Sequence, residues 1–192
     1  MTKGRFILIE GFDGVGKTTL SLRIADRLGY EYHKSPEGAF LAARATFDTS
    51  TTETVDRLSY YSGVALRNSI ITEQRTASGI NVIMDRYYHS SIAYHYDEYY
   101  KQCKRLKHFY EALFQPDLIF CIELDFKTIK DRKNFAGHPT LPDDEIFIRE
   151  DLHQNITKIY RTILPDSTIF ISNTDAIEIV ENEILKTIIE RL

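Results

Sequence analysis

Along the chain, short apolar runs alternate with stretches in which apolar residues recur every three or four positions, the pattern of buried strands alternating with amphipathic helices. Phe6, Ile7, Leu8 and Ile9 form the first run, and Thr18 to Leu28 follows with helical spacing at Leu20, Ile24 and Leu28. Tyr30 to His33 reads as a short second strand, Lys34 to Gly38 as a loop and Phe40 to Phe47 as a short helix. Ser50, Thr51 and Thr52 offer N-caps to a long helix that runs to about Ser78, where Gly79 stops it. Ile80 to Met84 is a third strand ending in Asp85, and Tyr88 to Tyr100 and Gln102 to Phe114 predict two tyrosine-rich helices. Leu118 to Leu124 supplies a fourth strand and Phe126 to Lys133 a further helix. Asn134 to Asp144, broken by Gly137, Pro139 and Pro142, predicts a loop. Glu145 to Leu164 then resumes as a helix, Thr168 to Ile171 is a fifth strand, and Ala176 to Leu192 closes as an amphipathic helix.

This alternation predicts an α/β protein with a five-stranded parallel sheet, helices on both faces and right-handed crossovers. At 192 residues the chain fits one domain spanning 1–192. Ligands of such sheets bind at the carboxyl ends of the strands. Three polar segments fall at that edge: the loop after the first strand, the Lys34 loop and Asp85.

The loop after the first strand reads Gly11-x-x-x-x-Gly16-Lys17-Thr18, a complete phosphate-binding signature between a strand and a helix. Successive backbone N–H groups and the positive helix end attract anionic oxygens there. Gly11, Asp13, Gly14, Val15, Gly16, Lys17, Thr18 and Thr19 are therefore the candidate nucleotide-binding residues. Lys17 would reach the β- and γ-phosphates, and the Thr18 hydroxyl would ligate magnesium. Asp85, at the end of an apolar run, suits the same metal site.

Composition adds limits rather than chemistry. Hydrophobic content of 43% and charged content of 27% are ordinary for a globular protein, and no stretch approaches a membrane span. The first strand begins so near Met1 that no signal peptide is expected, which points to the cytoplasm. A net charge of -4 gives no general attraction to nucleic acid or anionic membranes and suits a small anionic ligand. Cys103 and Cys121 read as reduced structural thiols, with neither metal nor disulfide assigned to them.

ILIEGFDGVGKTTL resembles the opening of thymidylate kinases, and Asp85 to Tyr94, DRYYHSSIAY, resembles their second signature. Gln115-Pro116-Asp117-Leu118 is a third similarity, and together they cover nearly the whole chain. The resemblance implies a P-loop NTPase three-layer sandwich with a short lid, about 133–146. It also implies ATP and magnesium, a nucleoside monophosphate acceptor with dTMP as the leading choice, and a homodimer.

Site roles follow the same resemblance. Arg86 matches the arginine that holds the acceptor phosphate, a task suited to paired guanidinium donors. Asp13 matches an aspartate associated with the sugar 3'-hydroxyl, Tyr61 an aromatic that stacks on the acceptor base, Ser91 a base-edge position, and Tyr94 the tyrosine under the sugar. Core packing competes with base stacking for Tyr61, and His89 and His95 read as packed or solvated. Gly14 stands where some members carry an arginine, so a transition-state arginine must come from the lid region, with Arg132 the candidate. The base-reading arginine falls on Ala65, and the loop arginine is missing, leaving Lys34 as its cationic substitute. A deoxynucleoside kinase using Glu37 as base and a noncatalytic nucleotide-binding module remain alternatives; a GTPase is disfavoured because Asn-Lys-x-Asp is absent.

Overall fold

The computed structural model describes residues 2–47, 52–95, 104–135 and 149–192. Five strands carry the fold: β1 (Phe6–Gly11), β2 (Glu31–Lys34), β3 (Val82–Asp85), β4 (Leu118–Glu123) and β5 (Ile169–Ser172). They lie in the order β2-β3-β1-β4-β5, and every pairing is parallel. Helices join them: α1 (Lys17–Leu28), α2 (Gly38–Phe47), α3 (Thr54–Ala77), α4 (Tyr88–Tyr94), α5 (Lys104–Glu111), α6 (Phe126–Phe135), α7 (Glu150–Ile163) and α8 (Ile177–Arg191).

The middle strands are apolar on both sides because helices cover both faces. Ile7, Ile83, Phe120 and Ile122 are buried there with Phe6, Leu8 and Ile9. One face carries α1, which packs on β2, β3 and α8; Arg23 and Arg27 of α1 grip the buried Glu181 of α8 at 2.6 and 3.0 Å. The other carries α3, α4 and α7, with α4 touching β1, α3 and α7. Phe6 on that side meets the rings of Tyr87 and Phe114 at 5.7 and 5.9 Å.

Register brings the chemistry level. Ile9 pairs with Asp85 and Lys34 pairs with Asp85, so the last residues of β2 and β3 lie level with Ile9, two residues before β1 ends at Gly11. The chain leaves β1 for β2 and β3 on one side and then crosses from β3 to β4 on the other, which opens a crevice above β1.

Most elements fall where hydrophobic periodicity places them. The helix predicted over Tyr88 to Tyr100 is shorter, ending at Tyr94; residues 96–103, including Cys103, lie outside the described residues. The predicted lid, 133–146, begins inside α6 and otherwise lies outside the described residues, as does the start of the helix expected from Glu145. Cys121 is buried in β4, and burial pushes its thiol well up, as an inert structural cysteine requires.

Phe120 is fully buried in β4 next to β1. Phe120→Ala should cost about 3–5 kcal/mol, read as a lowered denaturant midpoint. A midpoint unchanged from the parent protein would contradict this description of the core.

Candidate active site

The loop between β1 and α1 bends back over the sheet edge through Gly11 (φ 138°), Gly14 (φ 81°) and Gly16 (φ 96°). At Gly11 an added Cβ would meet the Ile122 carbonyl oxygen at 2.3 Å, and at Gly16 it would meet the Asn173 side-chain amide at 2.6 Å. Only glycine allows these approaches. Asn173, in the loop after β5, is buried and donates its amide to the Val15 carbonyl at 2.7 Å, so it braces the loop from behind.

Lys17 is 5% exposed and its Nζ donates to the Phe12 carbonyl at 2.6 Å, curled inside the loop it belongs to. Burial, with the Arg86 charge, lowers its pKa to about 8 against the pull of Asp13, Asp85 and Glu10. Thr18 donates its hydroxyl to Asp85 Oδ2, and Lys34 Nζ lies 3.4 Å from the Thr18 oxygen. Tyr32 also reaches Asp85 Oδ2, at 3.4 Å, while Asp85 Oδ1 is buried without a hydrogen-bond partner. A buried carboxylate oxygen left unpaired beside a threonine hydroxyl fits a divalent cation that arrives with its own ligands.

Arg86 follows β3 with φ 71°, the only described non-glycine residue in the left-handed region. Such backbone persists only where its surroundings hold it, and here the Arg86 N–H donates to the Ile9 carbonyl at 3.1 Å. Its guanidinium contacts Asp13 Oδ1, donates to Ser90 Oγ at 2.9 Å, and lies 5.5 Å from the centre of the Tyr94 ring. Tyr94 in turn donates to Asp13 Oδ2 at 2.8 Å. Desolvation favours neutral Asp13, but Arg86, Lys17 and Tyr94 outweigh it and hold the carboxyl at about 2.

Beneath Arg86 sits Glu10, a carboxylate on the α4 and α7 side of β1 with no exposed surface. Burial pushes its pKa up, opposed by Ser90, Arg86, the Tyr87 N–H and Lys17. The sequence reading missed Glu10, Ser90 and Tyr160. A glutamate inside FILIEG was the available signal, since a carboxylate in a strand buried on both faces requires partners.

A cleft of about 670 Å³ joins these parts. Asp13, Gly14, Gly16, Lys17, Thr18, Thr19, Lys34, Tyr61, Arg86, Ser91 and Tyr94 all line it, together with Leu41, Arg44, Val64 and His95. Tyr61 is half-buried, edge-on to Tyr60 at 4.9 Å and 5.3 Å from His95, so it contributes both to packing and to the cleft wall. Gly11 and Val15 lie under the loop rather than in the cleft, against Ile122 and Asn173. Arg132 lies to one side, donating to the Asn173 carbonyl at 2.8 Å. His89 is buried against Tyr88, and burial lowers its pKa to about 3, which makes it a packed neutral ring.

Ala65 is 2% exposed in the core, so no side chain at that position reads a ligand in this arrangement. Arg67 bonds to Glu37 at 2.9 Å and Asn68 at 3.3 Å. Glu37 is therefore committed to Arg67 and His33, and its pKa is lowered: desolvation opposes, but both partners outweigh it. A low-pKa carboxylate already paired with a cation is a poor base, which removes the main support for a nucleoside kinase.

A strand, glycine-rich loop and helix facing a strand-terminal Asp-Arg define a P-loop phosphotransferase. The thymidylate kinase family model matches residues 9–184, and the chain belongs to that family of ATP-dependent kinases, whose reaction is phosphorylation of dTMP. Relatives span the full length: a thymidylate kinase of Lactobacillus helveticus is 24% identical over 212 aligned positions, covering 99% of this chain and 98% of that one. A probable thymidylate kinase of Methanocaldococcus jannaschii is 25% identical, with 96% of each chain covered. The solved structure of Candida albicans thymidylate kinase superposes with a TM-score of 0.74 at 20% identity, covering 98% of this chain and 92% of that one. That of Ehrlichia chaffeensis thymidylate kinase gives 0.65 at 20% identity, covering 97% and 99%.

Only the protonated Lys17 compensates a donor's charge, and it loses its proton as pH rises through about 8. The kcat/KM for ATP should accordingly level off below that value and decline above it. A profile flat to pH 10 would contradict a buried, depressed Lys17.

Proposed function

We propose that this cleft transfers the γ-phosphoryl group of ATP to dTMP, with the acceptor phosphate held by Arg86. The observation that carries the assignment is the pairing of two separate cations, Lys17 in the loop and Arg86 at the end of β3, on one cleft. Phosphoryl transfer leaves little covalent chemistry to the protein; it needs two anionic groups held in line with their charge offset.

On the donor side, the amides of Gly14 to Thr19 cradle the phosphates and Lys17 leaves Phe12 to reach them. Thr18 and Asp85 would hold magnesium, which would supply positive charge to offset that of the donor phosphates. The unpaired Asp85 Oδ1 supports this assignment. Arg132 is the proposed transition-state cation, a role that requires it to leave Asn173 for the cleft.

On the acceptor side, Arg86 offers paired donors to the phosphate, and Lys34 a second, less rigid charge. Asp13 and Tyr94, already bonded to each other, receive the sugar: the carboxylate accepts from a 3'-hydroxyl and the ring lies under the deoxyribose. Tyr61 forms the base platform, where stacking contributes about 1–3 kcal/mol, and Ser91 meets the base edge. No general base is required, because the nucleophile is an ionised phosphate oxygen. With Ala65 buried, base choice rests on Tyr61, Ser91 and the apolar wall of Leu41 and Val64.

No described helix is long and apolar enough to cross a membrane, and we assign the enzyme to the cytoplasm with neither nucleic acid nor membrane as partner. A homodimer is the proposed assembly, supported by Val55, Leu66 and Ile70, exposed along one face of α3.

Arg86→Lys keeps the charge and loses the bidentate fork. It should raise the KM for dTMP about tenfold or more and lower kcat, while the KM for ATP stays within about twofold. Unchanged acceptor kinetics would remove Arg86 from the acceptor site.

A further inference from the structure

The core behind Arg86 contains a polar cluster that packing alone does not call for. Glu10 Oε1 accepts the Tyr87 N–H at 2.8 Å, and Oε2 accepts from the Ser90 hydroxyl at 2.6 Å and the Tyr160 hydroxyl at 3.1 Å. Tyr160 Oη also lies 3.0 Å from Ser90 Oγ and 3.4 Å from the Gly11 carbonyl. Ser90 Oγ receives Arg86 Nη1 at 2.9 Å. Tyr160 is 1% exposed, Glu10 0% and Ser90 9%.

Three donors aimed at Glu10 oppose the rise that burial imposes on its pKa, and both hydroxyl protons point toward it. Ser90 therefore presents its lone pairs to Arg86 while donating to Glu10, which makes it a stronger acceptor than an isolated serine. Arg86 is thus held on two sides: directly by Asp13 in the cleft, and through Ser90 by Glu10 beneath it. The third member comes from far away in sequence. Tyr160 sits on α7, the first described helix after residues 136–148, and reaches β1 through its bonds to Glu10 and the Gly11 carbonyl.

A phenylalanine would fill the space of Tyr160 equally well without burying a hydroxyl, so the hydroxyl has to be explained by its partners. Its removal would leave Glu10 Oε2 with Ser90 alone and let the Ser90 hydroxyl turn toward the vacated position, loosening its hold on Arg86.

We propose that Tyr160 is a positioning residue for Arg86, acting through Glu10 and Ser90, so that α7 sets how firmly the cleft presents its acceptor-side guanidinium. The inference rests on Arg86 being the acceptor-phosphate arginine. It assigns α7 a part on the acceptor side of the cleft, because Glu10, Ser90 and Tyr160 hydrogen-bond toward Arg86 and not to Lys17, Thr18 or Asp85 among the described residues.

The test is a double-mutant cycle on Tyr160→Phe, Ser90→Ala and their combination, with steady-state kinetics for dTMP and ATP and thermal melts of each variant. Tyr160→Phe should raise the KM for dTMP about fivefold and Ser90→Ala about tenfold, with the KM for ATP within about twofold of the parent in both. Because Tyr160 works through Ser90, the combination should be no worse than Ser90→Ala alone. Three results would overturn the proposal: an unchanged dTMP KM in Tyr160→Phe, equal increases for ATP and dTMP, or effects that multiply in the double variant. Ser90→Ala keeps the Tyr160–Glu10 bond and cuts the relay, so an unchanged dTMP KM there contradicts the proposal equally. Arg86→Lys measured alongside separates the levels. If it leaves the dTMP KM unchanged, the acceptor reading of Arg86 fails and the relay with it; if it raises that KM while the cycle is multiplicative, only the relay fails.

Discussion

Arg86 is a guanidinium fixed between two carboxylates, in a backbone conformation that ordinary residues avoid, and the geometry of the cleft depends on it. A cation in a poorly solvated site is costly unless its donors are matched. Asp13 matches it from the phosphate loop and Ser90 from α4, with Glu10 behind. Asp13 is thereby shared between the glycine-rich loop, proposed to cradle a donor, and Arg86, proposed to hold an acceptor. Removing either member would leave the other charge less well compensated, so the two halves of the cleft are joined electrostatically as well as by the sheet.

The parallel sheet makes that juxtaposition possible. Arg86 follows β3 and Asp13 follows β1, and these strands are neighbours in register, with Ile9 opposite Asp85. Lys34 arrives in the same row from β2. A fold that places strand ends from distant parts of the chain side by side can assemble a two-anion site from short loops, each held by buried apolar strand residues. Asn173 supplies the corresponding brace on the other flank, from the loop after β5 to the Val15 carbonyl.

Much of this was legible in the chain. Four of the five strands and the phosphate loop follow from apolar runs meeting glycine, lysine and threonine at fixed spacing, β2 (EYHK) carries no such run, and Asp85-Arg86 stands out at a strand end. What escaped was long-range pairing. Tyr160 lies 150 residues from Glu10, inside a helix of mixed polarity, and nothing local marks its hydroxyl as bonded. Ser90 and Ser91 are adjacent and both line the cleft, and only the turn of α4 decides that the first also bonds Glu10. Glu37 looked available as a base because its partner Arg67 is 30 residues away. The early end of α4 at Tyr94 reflects a weaker cause: the tyrosine-rich run beyond it carries no start or stop signal of its own.

A paired Glu37 offers no base and Arg86 offers a fork for an anion, which together favour an acceptor that already carries a phosphate. The most direct test is to incubate the protein with ATP and magnesium and either dTMP or thymidine, following ADP and nucleotide products by chromatography. Stoichiometric ADP and dTDP from dTMP, with no product from thymidine, is the predicted result. Phosphorylation of thymidine to dTMP, or ATP binding without turnover on dTMP, would contradict it.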